Sequence, residues 1–385
     1  MKLSLLIFIL AFFFQITSNS NNLGAPEPKG KIVEFKSERN VPSTTLRGIL
    51  RIPENSNNKS VPVVLMIWGS TCDNGTGWVP ASDTASGRDE TIFTDIAENF
   101  IRNGIAVFTY TKRGCNPLDG GTLDRKVKAR WSRDILFADA TAAFEAMIAL
   151  PEIDSKRAFI FGYSEGNTYA WELGLKKGNS IRGLLLLSFI SGSYLIAEHF
   201  QVVTSCIDAF DLIDERHQNY ITVDDINKFE CFAKKDYLSF ETCDLSRDKK
   251  LTRAELIACR ERKFLEHLNA IETASPGTLI PDSNDSAELF RQHFHSKSMM
   301  ETADTQKVPV ALFQGEADTA TPVSEALMLN QKLIEINKAP FFFKTYKGLS
   351  HGLAIGKGLK NHCQKFGPVD KQVLEDIIKA IKLKL

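Results

Sequence analysis

Short apolar runs alternate along this chain with longer stretches in which apolar residues recur every three or four positions. That rhythm predicts strands of a mostly parallel sheet joined by helices, an α/β fold. Lys31–Phe35 and Thr44–Ile52 read as an opening antiparallel pair. Val61–Ile67 and Ile105–Tyr110 are continuous apolar runs, as expected of strands covered on both faces. Between them, Glu90–Arg102 has helical periodicity. Trp131–Leu150, rich in alanine and stopped by Pro151, is predicted as a helix, and Arg157–Phe161 as the next strand. Ile181–Phe189, Val308–Phe313 and Phe341–Tyr346 continue the sheet, and Asp370–Leu383 closes it as a helix.

The rhythm breaks between about Ser193 and Lys307, where charged helical segments appear without strand-like runs. The same alternation resumes afterwards, which predicts a discontinuous core of residues 30–192 and 305–385. A helical insert, 193–304, is then expected to cover the sheet's carboxyl edge. A length of 385 residues leaves room for a catalytic domain of ~250 residues and such an insert. Composition is that of an ordinary globular protein, 43% hydrophobic and 24% charged. Lys plus Arg and Asp plus Glu number 47 each, so no net field favours nucleic acid, an anionic membrane or a polyanionic substrate.

Residues 1–20 have the form of a secretory signal: Lys2, the apolar run Leu3–Phe14, then Ser18 and Ser20 at cleavage spacing. The run is shorter than the ~20 residues that span a bilayer, and no later stretch is long enough. The expected product is secreted or periplasmic, without a transmembrane segment. Its seven cysteines then favour disulfides. Four of them lie between 206 and 259, where they would staple the insert, and Cys72 and Cys115 each follow a predicted strand and could meet at one sheet edge. The odd count leaves one thiol over, with Cys363 the candidate, and the absence of Cys-x-x-Cys argues against zinc or redox chemistry.

Gly162-Tyr163-Ser164-Glu165-Gly166 matches Gly-x-Ser-x-Gly between a predicted strand and a predicted helix. In that setting a serine hydroxyl is exposed on a tight turn, and the helix's amino end faces any oxyanion that develops. Such a nucleophile needs an acid and a histidine, in that order, farther along the chain. Asp318 lies in the polar loop after Val308–Phe313, with Glu316 as the rival carboxylate, and His351 lies in Gly348-Leu349-Ser350-His351-Gly352 after Phe341–Tyr346. The other histidines lack such placement. Backbone N–H groups of Glu165 and of Ser70, in the loop Trp68-Gly69-Ser70-Thr71, are the candidate oxyanion donors.

These stretches, with Thr109-Tyr110-Thr111-Lys112-Arg113-Gly114, resemble the bacterial α/β-hydrolase esterases with a serine-aminopeptidase-like core, over about residues 30–192 and 305–385. The resemblance implies ester, thioester or amide hydrolysis through an acyl-enzyme on a small or medium acyl substrate, with a carboxylesterase favoured. A serine peptidase, or a calcium-binding protein with a silent hydrolase core, is the alternative. Two positions depart from the family pattern: Trp68 where His is usual, and Thr111 where Asp is usual near Arg113.

Inside the insert, Asp244 to Glu255 fits the twelve-residue EF-hand loop. Its calcium ligands would be Asp244, Ser246, Asp248, the Lys250 carbonyl and Glu255. Leu251 occupies the apolar position through which paired loops meet, and Lys249 stands where glycine makes the sharp turn. Asp214 to Asp225 resembles a partner loop with Ile221 at the pairing position, but Arg216 and Gln218 at its third and fifth positions make it incapable of holding calcium. Calcium is thus the expected cofactor, bound away from the chemistry.

Overall fold

The apolar runs form one eight-stranded sheet in the computed structural model. It describes residues 29–385 apart from 39–41, 55, 57–59, 74, 82–83, 85, 117–122, 230–237, 282, 284 and 355–365. The proposed signal segment, Cys231, His362 and Cys363 lie outside the described residues. The strands are β1 (Lys31–Ser37), β2 (Thr44–Arg51), β3 (Val61–Ile67), β4 (Ala106–Tyr110), β5 (Ile153–Tyr163), β6 (Gly183–Leu187), β7 (Val310–Gly315) and β8 (Phe342–Tyr346). Their spatial order is β1-β2-β4-β3-β5-β6-β7-β8. β1 and β2 pair antiparallel, β2 meets β4 antiparallel, and every later pairing is parallel.

The central strands are apolar throughout because both faces are covered. Along β3, Val63, Leu65 and Ile67 join a core with Trp131, Ala140 and Phe144, while Val64 and Met66 face Phe100, Phe161 and Ile377. The helix Arg133–Ile148 begins where the Ser132 side chain accepts the Ile135 N–H, and it lies on the first face. The helices Ile92–Arg102 and Lys371–Lys382 cover the second.

Some boundaries differ from the expectation. Glu90–Thr91 pairs with Trp78–Val79 as a two-residue ladder, so the helix starts only at Ile92. β5 runs from Ile153 rather than Arg157, because Val61 of β3 extends the ladder to it. Residues 193–304 add no strand to the main sheet. Phe200–Thr204 forms a π-helical turn ahead of the helix Ser205–Ile213, and a 21-residue helix, Arg253–Thr273, runs through the middle of the insert. The two loops singled out above meet through Tyr220–Ile221 and Leu251–Thr252, with Leu251 opposite Ile221. No helix among the described residues is long and apolar enough to cross a membrane.

Candidate active site

Parallel strands deliver their following loops to one edge of a sheet, and the loops after β3, β5, β7 and β8 carry the candidate residues. After β5 the chain turns at Ser164 into the helix Gly166–Lys177. Ser164 has φ of 54°, a left-handed conformation that a non-glycine residue keeps only where its surroundings hold it. Here the Ser164 N–H donates to Leu187 O at 3.2 Å, and Asn167 Nδ2 donates to the carbonyls of Ser164 and Leu187 at 2.9 and 2.8 Å. The motif's glycines are required by contact: a Cβ on Gly166 would sit 2.2 Å from Ile67 O, and one on Gly162 2.8 Å from Asn167 Cα.

His351 and Asp318 are both buried, and His351 Nδ1 lies 2.8 Å from Asp318 Oδ2. The carboxylate is fully engaged. Gln314 Nε2 and Thr321 Oγ1 donate to Oδ2 at 2.9 and 2.6 Å, and the Ala320 and Thr321 N–H groups donate to Oδ1, each at 2.8 Å. Glu316, the rival acid, is exposed and accepts from Thr345 Oγ1 at 2.8 Å, away from the histidine. Ser188 Oγ donates to His351 O at 2.9 Å, and the Tyr163 ring centre is 5.1 Å from the imidazole. Ser164 and His351 line one cleft without a hydrogen bond between them, and such bonds commonly tighten only when substrate binds.

Among the described residues, no acceptor faces the N–H of Glu165 or of Ser70. Trp68 keeps its loop in place by donating Nε1–H to Thr71 Oγ1 at 2.7 Å and setting its ring edge-on to Phe93, 4.3 Å between centres. The missing carboxylate at Thr111 is supplied from elsewhere, since Asp139 on the helix Arg133–Ile148 accepts Arg113 Nε–H at 2.7 Å. Cys72 and Cys115 form a disulfide, and so do Cys243 and Cys259.

The cleft measures about 50 Å³ and has aromatic walls, Trp68, Trp78, Tyr163 and Phe366 among them. Asp73 also lines it. Burial pushes its carboxyl up to about 6, against the opposing N–H groups of Gly75 and Gly77 and the charge of Lys112. None of the described walls comes from residues 193–304. The insert meets the core at the sheet edge, where Gln201 Nε2 donates to Ala320 O at 2.9 Å, and on the flank, where its helix Ala287–His295 packs against Arg133–Ile148 and reaches the Glu165 side chain. His293, which the sequence offered no reason to choose, has Nε2 3.1 Å from Glu165 Oε1. Tyr169 donates to the same oxygen at 2.9 Å, and Lys112 Nζ donates to Oε2 at 3.1 Å. Burial alone would raise the Glu165 pKa. Lys112 first, then His293 and Tyr169, outweigh it and hold the carboxyl far below the usual range.

In the loop from Asp244 to Glu255, Lys249 adopts φ of 66°, taking the left-handed turn despite its side chain. Asp244 accepts from Ser246 Oγ and the Lys249 N–H at 3.2 and 3.0 Å, while Asp248 accepts the Lys250 N–H at 2.9 Å. Glu255 accepts the N–H groups of Ser246 and Thr252 at 2.8 and 3.0 Å, the second as part of a capping box. Among the described residues, no three His, Cys, Asp or Glu side chains converge as a metal cluster. In the companion loop, Asp225 is met by Arg216 at 3.3 Å and Lys228 at 2.8 Å, so cationic side chains satisfy its carboxylate.

No protein-family model and no curated protein matches this chain. Solved structures do. The acylaminoacyl peptidase of Pyrococcus horikoshii is 15% identical, with a TM-score of 0.50 over 93% of this chain and 42% of that one. A puromycin-hydrolyzing peptidase of Mycobacterium tuberculosis is 14% identical, with a TM-score of 0.50 over 92% of this chain and 40% of that one. The fold is that of the α/β-hydrolases. Both matched proteins are more than twice as long as the part this chain spans, so the likeness concerns the hydrolase fold alone. Within that α/β-hydrolase frame, Ser164, Asp318 and His351 stand on the loops after β5, β7 and β8.

Proposed function

We propose that this α/β-hydrolase is a serine hydrolase with Ser164 as nucleophile, His351 as general base and Asp318 as its orienting acid. The observation that carries the reading is the pairing of a strained, held Ser164 with a buried His351–Asp318 contact at the same sheet edge. Ser164 Oγ attacks the substrate carbonyl carbon while His351 Nε2 accepts its proton, and the carbonyl oxygen takes the negative charge. Asp318 holds the Nδ1–H tautomer, and the Glu165 and Ser70 N–H groups receive the oxyanion. His351 then returns the proton to the leaving group, and water repeats the sequence on the acyl-enzyme. Among the described walls there is no lysine or arginine, and the titratable side chains besides His351 are Asp73 and Tyr163, which favours an uncharged acyl group. A cleft of about 50 Å³ favours a short one.

A fluorophosphonate probe should label the wild type and fail on Ser164→Ala; labelling of the folded variant at the same site would sink the proposal. p-Nitrophenyl esters of increasing chain length, run beside a peptide amide, test the preference for a short-chain carboxylesterase over a peptidase. Faster turnover of the amide than of any ester would reverse it.

We also propose that the loop Asp244 to Glu255 takes up calcium, since hydroxyl and backbone carbonyl oxygens serve as ligands beside carboxylates. The left-handed Lys249 and the Leu251–Ile221 pairing support that reading. Export from the cytosol is the third proposal, supported by the two disulfides.

A further inference from the structure

Lys112 follows β4 and is 5% exposed, yet its ammonium meets both loops that carry the candidate oxyanion donors. Nζ donates to Gly69 O and to Glu165 Oε2, and it stands 5.5 Å from the centre of the Trp131 ring. Its three donor directions are therefore spent on a carbonyl, a carboxylate and an aromatic face. Gly69 O and the Ser70 N–H belong to one peptide unit, and the trans geometry points them in opposite directions. Holding the carbonyl toward Lys112 consequently turns the Ser70 N–H away from it. That peptide lies against the nucleophile, since a Cβ on Gly69 would be 2.9 Å from Ser164 Cβ and 3.4 Å from its Oγ. The Cys72–Cys115 disulfide draws the same two loops together, three residues beyond each end of the Lys112–Gly69 contact.

We propose that Lys112 is the positioning residue of the oxyanion hole: by holding the Gly69 carbonyl it aims the Ser70 N–H at the substrate oxygen, with Glu165 balancing its charge. The inference rests on the serine-hydrolase reading. It explains why a buried lysine is kept beside a nucleophile that its side chain does not contact. It also gives the insert a part in the site, because His293 fixes the Glu165 carboxylate on which Lys112 leans.

The test is Lys112→Met, assayed on the best p-nitrophenyl ester for kcat and KM, with the affinity of a boronic acid that forms a tetrahedral adduct on serine. Losing an oxyanion donor costs about 10²-fold or more in turnover, so kcat should fall by about that factor with KM within about threefold. Boronate affinity should fall with kcat, because both report the oxyanion. Lys128→Met is the control, since Lys128 pairs with buried Asp285 at 2.6 Å and faces the same Trp131 without touching Gly69. It should lower Tm and leave kcat intact. If Lys112→Met behaves like this control, the inference is overturned.

Should Lys112→Met fail to fold, Lys112→Met with Glu165→Gln removes the stranded charge and keeps the Glu165 backbone. Tm should then recover while kcat stays low; recovery of kcat together with Tm would show that the lysine only neutralises Glu165. Ser164→Ala keeps the two readings apart. Continued labelling there ends the hydrolase reading itself, whereas lost labelling with an unimpaired Lys112→Met ends only this inference.

Discussion

Asp318, the proposed orienting acid, illustrates how much surrounding structure one buried carboxylate requires. Two backbone N–H groups, a glutamine amide and a threonine hydroxyl saturate its carboxylate, leaving the oxygen that faces His351 in a single orientation. Asp318→Asn should preserve the fold but place an amide where Nδ1–H must donate, favouring the wrong tautomer. The expected loss in kcat is about 10⁴-fold with little change in KM, and a loss below about tenfold would remove Asp318 from the triad. The spacing after a strand made Asp318 and His351 legible, and it left Glu316 open. The two carboxylates are separated in the folded chain, where Asp318 is buried and 2.8 Å from His351 Nδ1 while Glu316 is exposed and bound to Thr345.

At the scale of the element, the loop following β3 and the short ladder after it form one wall of the cleft. Asp73 organises that wall by accepting the N–H groups of Gly75 and Gly77 at 2.6 and 2.8 Å. Its folded pKa, about 6, lies above the unfolded value of 3.8. Between those values the unfolded chain has lost a proton that the folded chain retains, so this group costs stability as pH rises from about 4 to about 6. Asp73→Asn should therefore move Tm upward relative to wild type as pH goes from 4 to 7. A difference in Tm that stays constant across that range would contradict the assignment. Glu165 works with the opposite sign, since its depressed pKa gives stability that is present above about 4.5 and lost as pH falls. The helices and strands themselves were legible, because continuous apolar runs and caps such as Ser132 are local features. The start of β5 was not, because Ile153 joins the sheet through a partner some ninety residues earlier.

Across the whole molecule, the insert and the core meet through buried polar groups. His293 with Glu165 and Lys128 with Asp285 join the flank of the core, and Gln201 donates to Ala320 O at 2.9 Å beside the acid loop. Stability of the insert should thus be felt in the whole chain. If calcium binds the loop Asp244 to Glu255, excess calcium should raise Tm, on the order of 1 °C for each kcal/mol of linkage in a chain of this length. Glu255→Gln keeps a capping side chain for the helix Arg253–Thr273 but weakens a calcium ligand, so the rise should shrink in that variant. An equal rise in both proteins, or none in either, would exclude this loop as the site.

By itself, the sequence determined the alternation of strands and helices, the strand-turn-helix setting of Ser164 and the placement of Asp318 and His351 on loops after strands, because each depends on residues close together along the chain. Tertiary structure alone decided which carboxylate meets His351, which acid meets Arg113, and that Lys112 and His293 converge on Glu165. Those contacts join residues from 26 to 128 positions apart, and no local periodicity or spacing encodes them. Burial then sets their strength, since a charge removed from water must find its partner wherever the fold brings one.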